Sequence, residues 1–142
     1  MRLELTRRAD LAARTMVLLA ERGRLKASEL AEALDTTAGF VPQVVGPLTK
    51  AGWVRSDPGP TGGYALNVEL DLVTLLEVIE AADGPTDSGR CVVLDRPCDV
   101  SEPCSVHFAW TEARRVLTGI LTDTRLSDLA AVAQPTPAIP IS

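Results

Sequence analysis

The chain is poor in aromatic residues, in histidine and in long apolar runs. Phe, Trp and Tyr make up 4% of its 142 residues, His107 is its single histidine, and cysteine occurs three times. Its longest apolar runs, such as Met16-Val17-Leu18-Leu19-Ala20, fall far short of the roughly 20 residues needed to cross a bilayer, which predicts no membrane span. The first ten residues include Arg2, Arg7, Arg8 and Asp10 and offer no apolar h-region or small-residue cleavage site, so a cytoplasmic protein is expected. An odd number of cysteines without a leader argues against a secreted disulfide framework and favours a metal or redox site. The composition, 46% apolar and 23% charged, is that of a chain able to bury a core. Its length suits one domain with an appended element.

Charge is unevenly spread. Residues 1–67 hold nine basic and seven acidic side chains, a net +2, whereas residues 68–142 hold five and twelve, a net −7. The first part is suited to a polyanion and the second is repelled by one.

Periodicity then divides the chain. Thr6 to about Arg22 reads as a helix with Leu11, Leu18 and Leu19 at helical spacing and Gly23 as its stop. Ala27, Leu30, Ala31 and Leu34 form one face of a short second helix ending near Asp35. After Thr36-Thr37, either able to cap, a third helix is expected from Ala38 to about Ala51, with Phe40, Val41, Val44, Val45 and Leu48 apolar. Its Gly39, Pro42, Gly46 and Pro47 predict a short or kinked element. Trp53–Ser56 and Tyr64–Asn67 are β-type runs around a Gly/Pro loop. Three helices followed by a hairpin is the order of a winged helix-turn-helix, whose third helix enters the major groove of double-stranded DNA. Asp71 to Asp83 reads as an amphipathic helix with Leu72, Leu75, Leu76 and Ile79 on one face.

Residues 84–104 lack apolar period and contain all three cysteines, and so read as a long functional loop. From Ser105 to Thr124 apolar residues return at Val106, Trp110, Ala113, Leu117 and Ile120, the period of a coiled-coil seam, for which a second copy is the expected partner. Arg125–Val132 reads as a short closing helix, and the proline-bearing residues 133–142 as a loose tail. The expected class is therefore mainly α with a small β-hairpin wing. A winged helix-turn-helix (1–83) is joined through a cysteine-rich loop (84–104) to a dimerisation helix and closing helix (105–132).

Cys91, Cys98, Cys104 and His107 lie within 17 residues, without the C-x-x-C pairs of a zinc ribbon. Soft thiolates favour zinc, copper(I) or iron-sulfur clusters, and three thiolates with one further ligand can hold a cluster. A nucleophilic Cys104 with His107 as base is the enzymatic rival, but no third orienting group is evident. Thiol oxidation without metal is a further alternative, as is a dimeric interaction module without DNA binding. For DNA contact the candidates are Thr37, Phe40 and Gln43 on the recognition segment, with Ser28, Lys50 and Arg55 at phosphates. Gln pairs with adenine and Thr reaches a base edge, while Phe40 suits the core better than a contact.

Met1-Arg2-Leu3, Lys50-Ala51-Gly52-Trp53-Val54, Gly59-Pro60-Thr61-Gly62-Gly63-Tyr64-Ala65-Leu66, the three cysteines and Thr124-Arg125-Leu126-Ser127-Asp128-Leu129 occur in the order found in one family. Over residues 1 to about 132 the chain resembles the winged-helix iron-sulfur transcription regulators that include IscR and NsrR. The resemblance implies a homodimer, DNA binding through the second and third helices and the wing, and a cluster on the loop cysteines that reports redox state, nitric oxide or cluster supply. IscR-like members hold a 2Fe-2S cluster with three cysteines and a histidine three positions after the last, where His107 falls. NsrR-like members hold a 4Fe-4S cluster with a carboxylate from the partner's first helix, and Asp10 lies near that place. The six residues between Cys91 and Cys98 are one more than in the IscR-like pattern.

Overall fold

A computed structural model describes residues 3–132, so the expected tail at 133–142 lies outside the described residues. Helix α1 (Arg7–Arg22) starts where the Thr6 hydroxyl oxygen accepts from the Ala9 amide at 3.1 Å, and stops at Gly23. The same hydroxyl donates to Asp83 at 2.7 Å. Leu11, Ala12 and Met16 are fully buried, and α1 forms the axis of the core. Helix α2 (Ala27–Ala33) buries Leu30 and Ala31, as its apolar spacing predicts.

Helix α3 (Val41–Lys50) is shorter than the sequence suggested and starts three residues after Ala38. Thr37 caps a preceding turn instead, its hydroxyl oxygen and carbonyl both accepting from the Phe40 amide, at 3.2 and 3.0 Å. Pro42 then falls in the first helical turn, where an amide would have no intrahelical partner. Val41, Val44, Val45 and Leu48 face the core.

The hairpin pairs β1 (Val54–Asp57) with β2 (Gly63–Leu66), from Val54 opposite Leu66 to Asp57 opposite Gly63. Gly63 has φ 134°, and a Cβ there would lie 2.7 Å from the Leu25 carbonyl oxygen. That close approach lets Tyr64 exchange both backbone hydrogen bonds with Leu25, at 2.8 and 3.0 Å, which fastens the wing to the α1–α2 connection.

The amphipathic segment predicted from Asp71 divides into a 3-10 turn at Leu70–Leu72 and helix α4 (Leu75–Asp83). Thr74 and Glu77 fix the boundary. The Glu77 amide donates to the Thr74 hydroxyl oxygen at 3.1 Å, and the Thr74 amide to the Glu77 carboxylate at 2.8 Å. Leu72 is consequently 66% exposed, and Val78, Ile79 and Ala82 form the buried face.

Residues 84–106 form a loop whose one ladder contact is an isolated bridge between Arg90 and Pro97. Helix α5 (His107–Asp123) follows two residues later than expected and packs beside α4. Helix α6 (Leu126–Ala131) is pinned by fully buried Leu126, whose amide donates to the Val73 carbonyl at 2.9 Å. No residue of α5 is buried, so the predicted seam lies open within one chain. Among the described residues no helix is long and apolar enough to cross a membrane.

Candidate cysteine pocket and nucleic-acid interface

Cys91, Cys98, Cys104 and His107 line one small pocket, with Trp110 and Arg114 of α5 on its wall. The loop closes on itself there. The Cys91 amide donates to the Arg96 carbonyl at 2.9 Å and the Cys98 amide to the Gly89 carbonyl at 2.8 Å. His107 opens α5, its amide donating to the Cys104 carbonyl at 3.1 Å, and its Nδ1 lies 3.4 Å from the Cys98 Sγ. The Leu94 amide donates to the Cys91 Sγ at 3.3 Å. This amide and that of Val93 hold the Cys91 thiol below its ordinary pKa. Burial opposes them, while the Cys104 side chain and the Arg96 charge add to the lowering. All three cysteines are free thiols.

Among the described residues no three His, Cys, Asp or Glu side chains converge on a point that would hold a single metal ion. The donors stand instead as two neighbouring pairs, Cys98 with His107 and Cys91 with Cys104. A mononuclear zinc site needs four ligands at roughly 2.0–2.3 Å from one centre, which this arrangement does not build. A donor set of three sulfurs and one imidazole nitrogen spread around a pocket fits a multi-iron centre, in which different irons take different side chains. Asp10 is absent from its own chain's pocket and pairs with Arg14 at 3.8 Å on exposed α1. His107 contacts Cys98 rather than Cys104, so the nucleophile-base pair weighed for an enzyme is not assembled.

The second surface lies between α3 and the wing. Pro42, Gly46, Thr49 and Lys50 share the outward face of α3 and, with Ser56 and Tyr64 of the hairpin, line a shallow concavity. Ser28, Thr37, Gln43, Lys50 and Arg55 are all exposed, whereas Phe40 is half-buried and packs on the core. Phe40 is thus corrected from a DNA-facing candidate to a packing residue. Asp57 accepts from Arg24 at 2.5 Å and from Arg55 at 3.2 Å.

Residues 5–132 match the family of Rrf2 iron-dependent transcriptional regulators. The chain belongs to the Rrf2 family. It is 30% identical over 114 residues to the transcriptional regulator IscR of Klebsiella pneumoniae strain 342, covering 80% of this chain and 69% of that one. CymR of B. subtilis, described as its global cysteine regulator, superposes with a TM-score of 0.76 at 27% identity, over 94% of this chain and 100% of that chain. IscR of T. potens shares the fold, with a TM-score of 0.65 at 20% identity over 95% and 94% of the two chains. This Rrf2 protein is therefore a winged-helix, DNA-binding transcriptional regulator, and its relatives are regulators, not enzymes.

In this Rrf2 chain the sequence reading missed Arg24, Thr49, Ser56 and Tyr64. Thr49 was within reach of periodicity, seven residues after Pro42 on the same helical face. Arg24 joins the wing only through Asp57, a contact spanning the α1–α2 connection and the hairpin, which no local spacing reveals.

Proposed function

We propose that this chain acts as a homodimeric DNA-binding regulator that senses redox state, nitric oxide or iron-sulfur status through a cluster held by Cys91, Cys98, Cys104 and His107. The carrying observation is the gathering of these four donors at the root of α5. Two donor pairs favour a 2Fe-2S cluster, two ligands to each iron, over the 4Fe-4S type that would draw on Asp10 of a second copy. When bound, such a cluster supplies a redox-active group sensitive to oxidants.

The chain's own residues convert that state into a change of shape. His107 is the first residue of α5, so movement of its ring is passed directly to the helix bearing the open apolar face. A second copy on that face sets the spacing of two α3 helices, with Gln43 and Thr49 directed at bases and Ser28, Lys50 and Arg55 at phosphates. On this reading the units are the winged helix (1–83), the cluster loop (84–104) and the dimerisation segment (105–132).

The test is anaerobic purification followed by iron and sulfide analysis and a visible spectrum. Absorption between about 320 and 600 nm with near two irons per chain is expected, and Cys98→Ser should be colourless. An unchanged spectrum in Cys98→Ser, or an iron-free chain that cannot be reconstituted, would sink the cluster reading. The contact of Cys91 with Cys104 favours one alternative, a disulfide formed as peroxide takes two electrons and two protons and leaves as water. An iron-free chain whose DNA binding responds to peroxide would establish that alternative.

A further inference from the structure

Arginines surround the cysteine pocket, and one differs from the others. Arg90 and Arg114 line the pocket and pair with Asp95 and Asp87 respectively, the latter at 3.6 Å. Arg96 pairs with Glu102, its Nη1 3.5 Å from the carboxylate, and its Nη2 donates to the Glu102 carbonyl at 2.5 Å. Its Nε is buried and has no hydrogen-bond partner, the single such side-chain atom among the described residues. A buried guanidinium N–H without an acceptor is unfavourable and calls for a missing partner. The Arg96 carbonyl closes the turn onto the Cys91 amide, which fixes the residue's backbone beside the first cysteine. The turn from Leu94 to Arg96 lies within the six-residue gap between Cys91 and Cys98.

We infer that Arg96 is a positioning residue for the cluster, its charge and free Nε–H compensating the anionic sulfurs on the Cys91 side. Three thiolates make the loaded site negative, and reduction by one electron, supplied for instance by dithionite, adds a further negative charge. A cation and an N–H donor beside the sulfurs stabilise the reduced form more than the oxidised one, which raises the midpoint potential. Glu102, by neutralising Arg96, works in the opposite sense.

This rests on the cluster reading above, and the two fail differently. The measurement is a dithionite redox titration of reconstituted full-length protein, followed by visible absorption and by electron paramagnetic resonance of the reduced form. At a fixed ambient potential, Arg96→Met should lower the reduced-to-oxidised ratio by about tenfold, equivalent to a midpoint about 59 mV lower for one electron. Arg96→Lys, which keeps the charge but lacks the planar Nε–H, should lower it by a smaller factor. Glu102→Gln, at an exposed position, should raise it, and this arm decides the matter even if Arg96→Met takes up no cluster. Iron content and circular dichroism show that each variant is loaded and folded. A loaded wild type in which Glu102→Gln leaves the ratio unmoved or lowers it overturns the role of Arg96 alone. A wild type that takes up no cluster overturns both readings.

Discussion

Asp57 holds two guanidiniums that the wing would otherwise direct at solvent, Arg24 at 2.5 Å and Arg55 at 3.2 Å. Burial pushes its carboxyl up, but the hydrogen bonds and charges of Arg55 and Arg24 outweigh this, and its pKa lies below the ordinary 3.8. A carboxyl with a depressed folded-state pKa stabilises the fold fully above its unfolded value, and that contribution disappears as pH falls through the folded value. Urea titrations of wild type and Asp57→Asn should therefore differ by a constant amount above about pH 5 and converge below about pH 4. A gap that persists in acid would refute the ion-pair origin. The same substitution frees both arginines for phosphate, so DNA binding by Asp57→Asn should tighten at low salt and fall more steeply as salt rises.

At the scale of the element, α3 carries a glycine that nothing in its own fold requires. Gly46 has no positive φ, and a Cβ built there meets nothing within 4 Å. Gly46→Ala should then stabilise the chain by roughly 0.5–1 kcal/mol, read as a higher denaturation midpoint at unchanged slope. No gain would mean that α3 is not helical at that residue. The elements whose ends are written locally were legible in the sequence: α1 between Thr6 and Gly23, and the hairpin around Pro58–Gly63, where cap and turn residues act over a few positions. The starts of α3 and α4 were not. At Ala38 the helical apolar pattern ran on through a turn closed by Thr37. At Asp71 it ran on across the capping pair Thr74 and Glu77, which outweighs the alignment of Leu72 with Leu75 and Leu76. The donors Cys91, Cys98, Cys104 and His107 were legible because those residue types are scarce and clustered. Their division into two pairs, and the buried Nε of Arg96, depend on how loop 84–106 folds back on itself, which spacing does not encode.

At the scale of the whole molecule, the charge asymmetry and the open face of α5 belong to one argument. The acidic half of the chain contains the cysteine loop and α5, so it is held away from DNA while the net positive half carries α3 and the wing. α5 exposes Phe108 by 71%, Ile120 by 60% and Leu117 by 48%, and a groove lined by Leu3, Val92, Trp110 and Leu121 runs beside it. Leaving each such side chain in water forgoes about 1.5–3 kcal/mol of burial, which a second α5 would recover. A charge on that face should therefore separate the copies without disturbing the single-chain core, to which α5 contributes no buried residue. Ile120→Glu is expected to sediment as a monomer with an unchanged helical spectrum. Leu72→Glu, equally exposed but remote in sequence from α5, should remain dimeric. Because two recognition helices joined in one particle bind paired half-sites far better than either alone, Ile120→Glu should also lose at least about tenfold in affinity for a two-half-site operator while keeping its weak affinity for a single half-site. A dimeric Ile120→Glu would place the subunit contact elsewhere and remove the link from His107 through α5 to the spacing of the two α3 helices.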